Sequence, residues 1–299
     1  MKIIIYNPVL KKEIVFYDYV EHVYETEGRP DAPFYVLSFD GLGEVEATRN
    51  TSKSPNQAGA NYLSSQLEER ELSIRGFIKT PENTEEIGEL RKLLAQVINP
   101  VHGNLEVIYE EQEVRHKILA SADHVPTYQA SDAKEYHGQL TNITLIANDP
   151  YWTDEQAREV ILKAFDESFS FSFEFPVIFG EQGAQETIVN MGHAATPITA
   201  ELRGPSNVPR IENSTTGQYM QLNHVLLESE TWIICTERGH KRSIIESDDG
   251  TRRDVMSWLD LGSEFFSLQL GDNIIKYNAS SGTGKAVALV KWKQKYIAI

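Results

Sequence analysis

Cysteine is almost missing from this chain. Cys235 is the only one in 299 residues, which excludes an intramolecular disulfide and leaves no cysteine-held zinc cluster. It lies in the apolar run Thr231–Thr236, where a buried, inert thiol is expected rather than a nucleophile. Long hydrophobic runs are missing too. No window approaches the ~18 apolar residues of a membrane-spanning helix. The opening Met1-Lys-Ile-Ile-Ile-Tyr6 is too short for the apolar core of a signal peptide and is soon ended by Lys11 and Lys12. Without an export signal, the glycosylation patterns at Asn50, Asn142, Asn213 and Asn278 are chance matches. The chain is expected to be made and folded in a cytoplasm.

Positive charge is scarce: 28 Lys and Arg against 44 Asp and Glu give a net charge of −16. Binding nucleic acid through a broad basic surface is excluded, because phosphate contacts need clustered Lys and Arg. Catalytic signatures are equally thin. The eight histidines are scattered with no His-Glu-x-x-His pattern, and no Gly-x-Ser-x-Gly elbow occurs. The loop Ser280–Ala286 superficially resembles a phosphate-binding loop. Ala279 and Ala286, however, stand where Gly and Ser or Thr are needed, and strands flank it where a helix should follow; it reads as a flexible hairpin. Asp132, Glu135 and Asp149 are carboxylates of the kind glycoside hydrolysis uses, but an acidic chain offers many. His124 and His137 have no partner that sequence identifies. The reading assigns no catalytic, cofactor-binding or metal-ligating residue.

What is present is strand grammar. In the first half, Lys2–Tyr6, Ile14–Tyr19, Phe34–Asp40 and Gly43–Arg49 are rich in Ile, Val, Phe and Tyr. The polar segment Thr51–Ala60 lacks an apolar period, so Asn50–Tyr62 reads as the tip of a long excursion, either a surface loop or a subunit-clasping arm. Pairing resumes over Glu69–Ile78. One helix is predicted over Glu85–Ile98, where Ile87, Leu90, Leu93, Leu94, Val97 and Ile98 form one apolar stripe, with Thr84 as cap and Pro100 as stop. Strands follow at Asn104–Tyr109, Glu113–Ala120 and Gln139–Ala147. The polar stretch Thr153–Arg158 marks a domain boundary, giving domains 1–152 and 153–299. The second half reads as short strands separated by turns: Phe169–Phe175, Thr187–Asn190, Ile198–Arg203, Pro209–Glu212, Tyr219–Leu222, Thr231–Thr236 and Arg242–Glu246. Toward the end, Glu264–Leu270 alternates with period two, Gly271-Asp272 suits a tight hairpin turn, and Asn273–Asn278, Ala286–Trp292 and Gln294–Ile299 follow as strands.

That closing order resembles the C-terminal end of siphophage distal tail proteins. The likeness extends upstream through Glu69–Gly76, Leu93–Pro100, Asn148-Asp-Pro-Tyr-Trp152, Pro209–Gly217 and Thr231–Cys235, in the family's usual order over nearly the whole chain. Each motif alone is weak; their order and spacing carry the resemblance. It implies a mainly β protein: an N-terminal β-sandwich with one helix and a protruding hairpin, plus a C-terminal galectin-like β-sandwich. It also implies that the last strand, 291–299, returns to the N-terminal domain, as in some relatives. By the same resemblance, six copies close into a ring at the distal end of the virion tail. The ring joins the tail tube protein to the tail-tip hub and receptor-binding proteins, and DNA passes its channel without specific binding. No cofactor and no membrane are implied.

The hairpin and its flanks then fall between Arg49 and about Glu71, which makes Arg49, Tyr62, Arg70 and Arg75 candidates for subunit contact; the three arginines read equally as solvated strand residues. The sugar-binding pattern of galectins is not matched, since Ala194 and Ala195 follow His193, and Val225 and Leu226 follow His224. Two other readings compete: a carbohydrate-binding module contributing to host adsorption through Trp232 or Trp258, and a wall-degrading enzyme. For both tryptophans, core packing is the better expectation.

Overall fold

The structure is a computed structural model and describes residues 1–19, 32–79, 84–128, 138–163, 184–280 and 287–299. It divides into two compact units, Met1–Glu155 with Tyr296–Ile299, and Gln156–Lys295. Unit 2 is thus inserted, in sequence, into unit 1.

Unit 1 holds β1 (Lys2–Asn7), β2 (Lys12–Asp18), β3 (Phe34–Asp40), β4 (Ala47–Ser52), β5 (Asn61–Leu67), β6 (Arg70–Lys79), α1 (Thr84–Val97), β7 (Asn104–Glu111), β8 (Val114–Ala122), β9 (Thr127–Tyr128), β10 (Gly138–Ala147) and β11 (Trp152–Asp154). Period-two patterning makes these strands. In β6 every even residue from Arg70 to Ile78 is buried while the odd ones reach solvent or its margin. β10 likewise buries Ile143, Leu145 and Ala147. The two layers of the sandwich are one continuous sheet, β8-β7-β1-β2-β3-β6-β10, which closes on itself where β10 also pairs β8 at Leu145–Ala122 and Ile146–Ser121. Closure pairs the two outer strands of this circuit with each other over those positions, which shortens the edges open to mispairing.

Its interior is a single cluster that includes Ile3, Ile5, Phe16, Leu72, Ile74 and Trp152. The helix α1 adds Leu94 and Val97 from its apolar stripe, both buried. It is fixed at its C-terminal end and near its middle: Asn7 Nδ2 donates to the Val97 carbonyl at 2.8 Å, and the Tyr128 hydroxyl to that of Arg91 at 3.0 Å. The side chain of Thr84, the expected cap, lies outside the described residues. At Pro100 the chain does not simply leave the helix. It tightens into a 3-10 turn over Pro100–His102, capped by Asn99, whose side chain accepts from Val101 N.

Unit 2 holds β12 (Arg158–Lys163), β13 (Ala184–Asn190), β14 (Thr196–Arg203), β15 (Ser206–Asn207), β16 (Arg210–Asn213), β17 (Gln218–Gln221), β18 (Val225–Leu226), β19 (Glu230–Cys235), β20 (Arg242–Ser247), β21 (Arg252–Asp254), β22 (Ser267–Leu268), β23 (Gly271–Asn278) and β24 (Val287–Trp292). One sheet runs β12-β24-β14-β19-β20-β21 with β22 beside β14; the other is four-stranded, β13-β23-β16-β17. Leu202, Trp232, Ile245 and Val290 from the first meet Ile188, Ile211, Met220, Ile275 and Tyr277 from the second in one core. Trp232 is wholly buried, its Nε1 donating to Ser243 Oγ at 2.9 Å, and Cys235 is buried.

Three local expectations change. The stretch Glu264–Leu270 is not one strand. Only Ser267–Leu268 pairs, with β14, and Leu270 is 58 % exposed although Phe266 and Leu268 are buried. Nor do Gly271 and Asp272 turn a hairpin, because β22 and β23 belong to different sheets. Gly271 does take positive φ (+81°), and the crossing is tied by Asn273, which accepts from Gln269 N and donates to the carbonyls of Gln269 and Gly271. Residues 281–286 of the expected flexible hairpin lie outside the described residues; the strands they join, β23 and β24, also sit in different sheets. The expected strand Phe169–Phe175 lies outside as well.

The last strand, β25 (Lys295–Tyr296), pairs β11 at the edge of the unit 1 sheet. Replacing Leu94 by Ala should lower the unfolding free energy by about 2–5 kcal/mol, read from urea denaturation. Replacing exposed Leu63 by Ser should change it by less than ~0.5 kcal/mol.

Candidate assembly interface

Among the described residues β4 and β5 pair only with each other, so residues 47–67 leave the unit 1 sheet as a two-stranded arm. The residues of β4 and β5 are exposed throughout, apart from half-buried Leu67. An isolated two-stranded ribbon is marginal in water, and this one has no core of its own. It is held by its ladder, by Asn50 Nδ2 donating to Ser64 Oγ at 3.1 Å, and near the tip by Gln57, which accepts from Ser54 N and donates to Asn61 Oδ1. A register shift between Asn50 and Thr51 leaves Leu63 as an extra residue opposite them. Such bulges re-aim side chains and add twist. Tyr62 and Leu63 stand beside each other there, 60 % and 63 % exposed. The arm carries Arg49 and Lys53 and no acidic residue, in a chain whose net charge is −16.

Its root is the opposite in character. Arg70, the first residue of β6, is fully buried. Its guanidinium donates to four main-chain carbonyls: Nε to Pro150 at 2.7 Å, Nη1 to Gly41 at 2.7 Å and Glu44 at 3.3 Å, and Nη2 to Ile297. Gly41 and Glu44 lie where the chain enters the arm, Arg70 where it returns, so one side chain bolts entrance to exit. The Gly41 carbonyl also accepts from Trp152 Nε1 at 3.1 Å, and Glu68 N donates to the Glu46 carbonyl at 2.9 Å. Gly41 must be glycine: its φ is +114°, and a Cβ there would stand 2.6 Å from Leu72 Cδ2 and 2.8 Å from the Glu71 carbonyl. Burial pushes the Arg70 pKa down from its ordinary value, and the ring of carbonyl oxygens replaces the water it has lost. The strand expected over Gly43–Arg49 starts at Ala47, its first residues belonging to this root.

The C-terminal residues complete the root. Ile299 N donates to the Leu42 carbonyl at 3.1 Å. The Tyr296 hydroxyl donates to Asp154 at 3.0 Å, and its ring meets the His116 ring edge-on at 5.1 Å. Half-buried His116 has its pKa lowered, chiefly by burial, with Asp154 acting weakly the other way.

The four candidates for subunit contact are therefore not one cluster. Arg49 and Tyr62 share the arm. Arg75 is exposed on the wall of the sheet, between Ser38 and Asn142 of the neighbouring strands. Arg70 presents nothing to a neighbour; its place is the protomer's own interior, because it shares the parity of Leu72 and Ile74 along β6. That parity was the available signal. The return of the chain's last residues to unit 1 was implied by the family resemblance, but their contacts with the arm's root, like those of Gly41 and Trp152, had no signal, since they arise between residues distant in sequence. Elsewhere, Asp132, Glu135 and His137 lie outside the described residues, His124 is exposed, and Asp149 accepts from Tyr151 N. Trp258 is half-buried, with the Arg253 guanidinium 4.8 Å and the His224 ring 4.6 Å from its ring. Among the described residues no three His, Cys, Asp or Glu side chains gather as a metal site.

Arg70→Met should destabilise unit 1 by about 3 kcal/mol or more, since it strands buried carbonyls without donors; urea unfolding followed by tryptophan fluorescence, with Trp232, Trp258 and Trp292 replaced by Phe in both proteins, measures this. The His116 effect has a fixed sign. The unfolded chain takes up the proton more readily, so its contribution is full above the ordinary His value of 6.5 and is lost as pH falls through the lowered folded value. Stability measured from pH 8 to 5 should decline on the acid side, and His116→Gln should flatten that decline.

Residues 31–147 match the family described as the phage tail protein RIFT-related domain, and residues 191–296 match the siphovirus-type tail component, C-terminal domain. Among solved structures, the SPP1 Dit protein, titled a paradigm of hub adsorption apparatus in phages infecting Gram-positive bacteria, is similar with TM-score 0.64 at 12 % identity, covering 88 % of this chain and 93 % of that one. A chain of the phage P2 baseplate in its activated conformation with Ca gives 0.61 at 11 % identity, over 100 % of this chain and 99 % of that one. Its counterpart with Sr gives 0.58 at 10 % identity over the same shares. No curated protein sequence matches the chain. With both halves matched in order and the mainly β fold shared along the whole length, the chain belongs to the siphophage distal tail protein family.

Proposed function

We propose that this distal tail structural protein works as a homo-hexameric hub, closing a ring that joins the tail tube to the tail tip or baseplate and lets DNA pass. The observation that carries the reading is the arm: a ribbon exposed on both faces, tipped with Tyr62 and Leu63, cationic within an acidic molecule. A closed ring needs two different complementary patches on each copy. The arm supplies one, through Arg49, Lys53, Tyr62 and Leu63; the acidic body of the next copy supplies the other, with Arg75 on the sheet wall as a further contact. The tail tube protein, the tail-tip hub and receptor-binding proteins are the remaining partners. In this reading carboxylates line the channel and repel phosphates, the work is assembly in the host cytoplasm rather than catalysis, and the finished protein resides at the distal end of the virion tail.

Light scattering on a size-exclusion column, with negative-stain imaging of the peak, tests this. A six-membered ring is expected, alone or once tail tube or tip protein is added. Arg49→Glu with Leu63→Asp should weaken association at least tenfold, roughly 1.4 kcal/mol, and leave thermal stability of the protomer within about 0.5 kcal/mol. A wild-type chain that stays monomeric and ignores both partners would sink the proposal.

A further inference from the structure

The arm and the chain's last residues are more than two hundred positions apart in sequence, yet they meet at one buried side chain. Arg70 Nη1 holds the Gly41 and Glu44 carbonyls at the arm's entrance, and its Nη2 holds Ile297. Beside it Ile299 N bonds the Leu42 carbonyl, and the Ala298 Cβ is 3.8 Å from where a Cβ on Gly43 would be. Tyr296 anchors the segment on the other side, through Asp154 and the His116 ring. Leu42, Tyr296 and Ile299 all pack on the unit 1 core. Contacts from Leu42 through Glu44 thus bear on residues 296–299 or on the guanidinium they share.

We infer that Tyr296–Ile299 form a latch whose positioning residues, Tyr296 and Arg70, set the direction in which the arm leaves the body. The inference rests on the arm being the assembly element. The arm has no core to orient it, so its direction is decided entirely at the root. With the latch in place, Leu42 through Glu44 are pinned on one side by β3 and on the other by the tail. Without it, Arg70 loses one acceptor and the Leu42 carbonyl its donor, while the hydrogen-bonded circuit of the sheet is untouched. Unlatching therefore loosens the root without unfolding the barrel.

The test is hydrogen exchange by mass spectrometry on the full-length chain, comparing wild type, Tyr296→Phe, and Tyr296→Ala combined with Ile299→Pro, which removes the donor to Leu42. In the double variant, peptides covering 41–46 and 66–70 should exchange about tenfold faster or more, with β1 and β7 peptides unchanged. Tyr296→Phe keeps the ring and both backbone bonds and should show a smaller change confined to the tail. Ring formation by light scattering should fall in the double variant alone. Unchanged exchange at 41–46 in the double variant overturns the latch, as does a uniform rise across β1 and β7, which would mean general destabilisation. A ring that forms as well as wild type from an unlatched root overturns the positioning role. Failure of the hub reading itself shows separately, in wild-type protein that never assembles, whereas the exchange comparison does not depend on assembly.

Discussion

A single buried guanidinium organises unit 1. Arg70 has exchanged its hydration shell for main-chain oxygens drawn from the arm entrance, the Asn-Asp-Pro-Tyr-Trp segment and the C-terminal residues. A carboxylate partner would pair with one group and leave the other donors unused. Carbonyls can be recruited from several segments at once, and the fork geometry of Arg, with five donors, suits that use better than a Lys point charge. The energetic logic is asymmetric: the charge is costly to bury, so each segment that contributes an oxygen is strongly held once the charge is there. Trp152 and Gly41 are adapted to this arrangement, the indole sharing the Gly41 carbonyl and the glycine admitting a backbone conformation and a closeness that no Cβ permits.

Much of the architecture is legible in the sequence because it depends on local periods. The apolar stripe of α1 and the alternation of β6, β7 and β10 each announce a buried face without reference to anything distant. The mainly β class and the family follow from that grammar and its order. What could not be read depends on which strands become neighbours. Phe266 and Leu268 alternate as a strand should, but their partner is β14, so the run breaks where the chain leaves for the other sheet. Arg158–Lys163 is strand β12 although its first residues continue the polar stretch read as a boundary, because β24 is there to receive it. Arg70 lies between these cases. Its parity along β6 was visible, but the oxygens that make burial of a charge tolerable come from residues 29 positions before it to 227 after it.

The charge distribution gives the arm its meaning. A two-stranded ribbon without a hydrophobic face gains little from folding alone, and one edged with unpaired backbone groups invites contact. Concentrating Arg49 and Lys53 on it while excluding carboxylates biases that contact toward acidic surfaces. Exposed Glu44, Glu46, Glu68 and Glu69 around the root keep the same surface from being cationic overall.

The insertion of unit 2 has a consequence for how this protein can change over time. Its chain leaves unit 1 after β11 and returns in β25, and these two strands are paired, with Tyr296 bonded to Asp154. Departure and return are therefore side by side, the geometry in which whole domains are most easily spliced out or exchanged. A turn of a few residues could bridge the same gap that the intervening sandwich now spans. Exchanging unit 2 for another domain, or for a short turn, would therefore leave the closed sheet of unit 1 and its arm continuous.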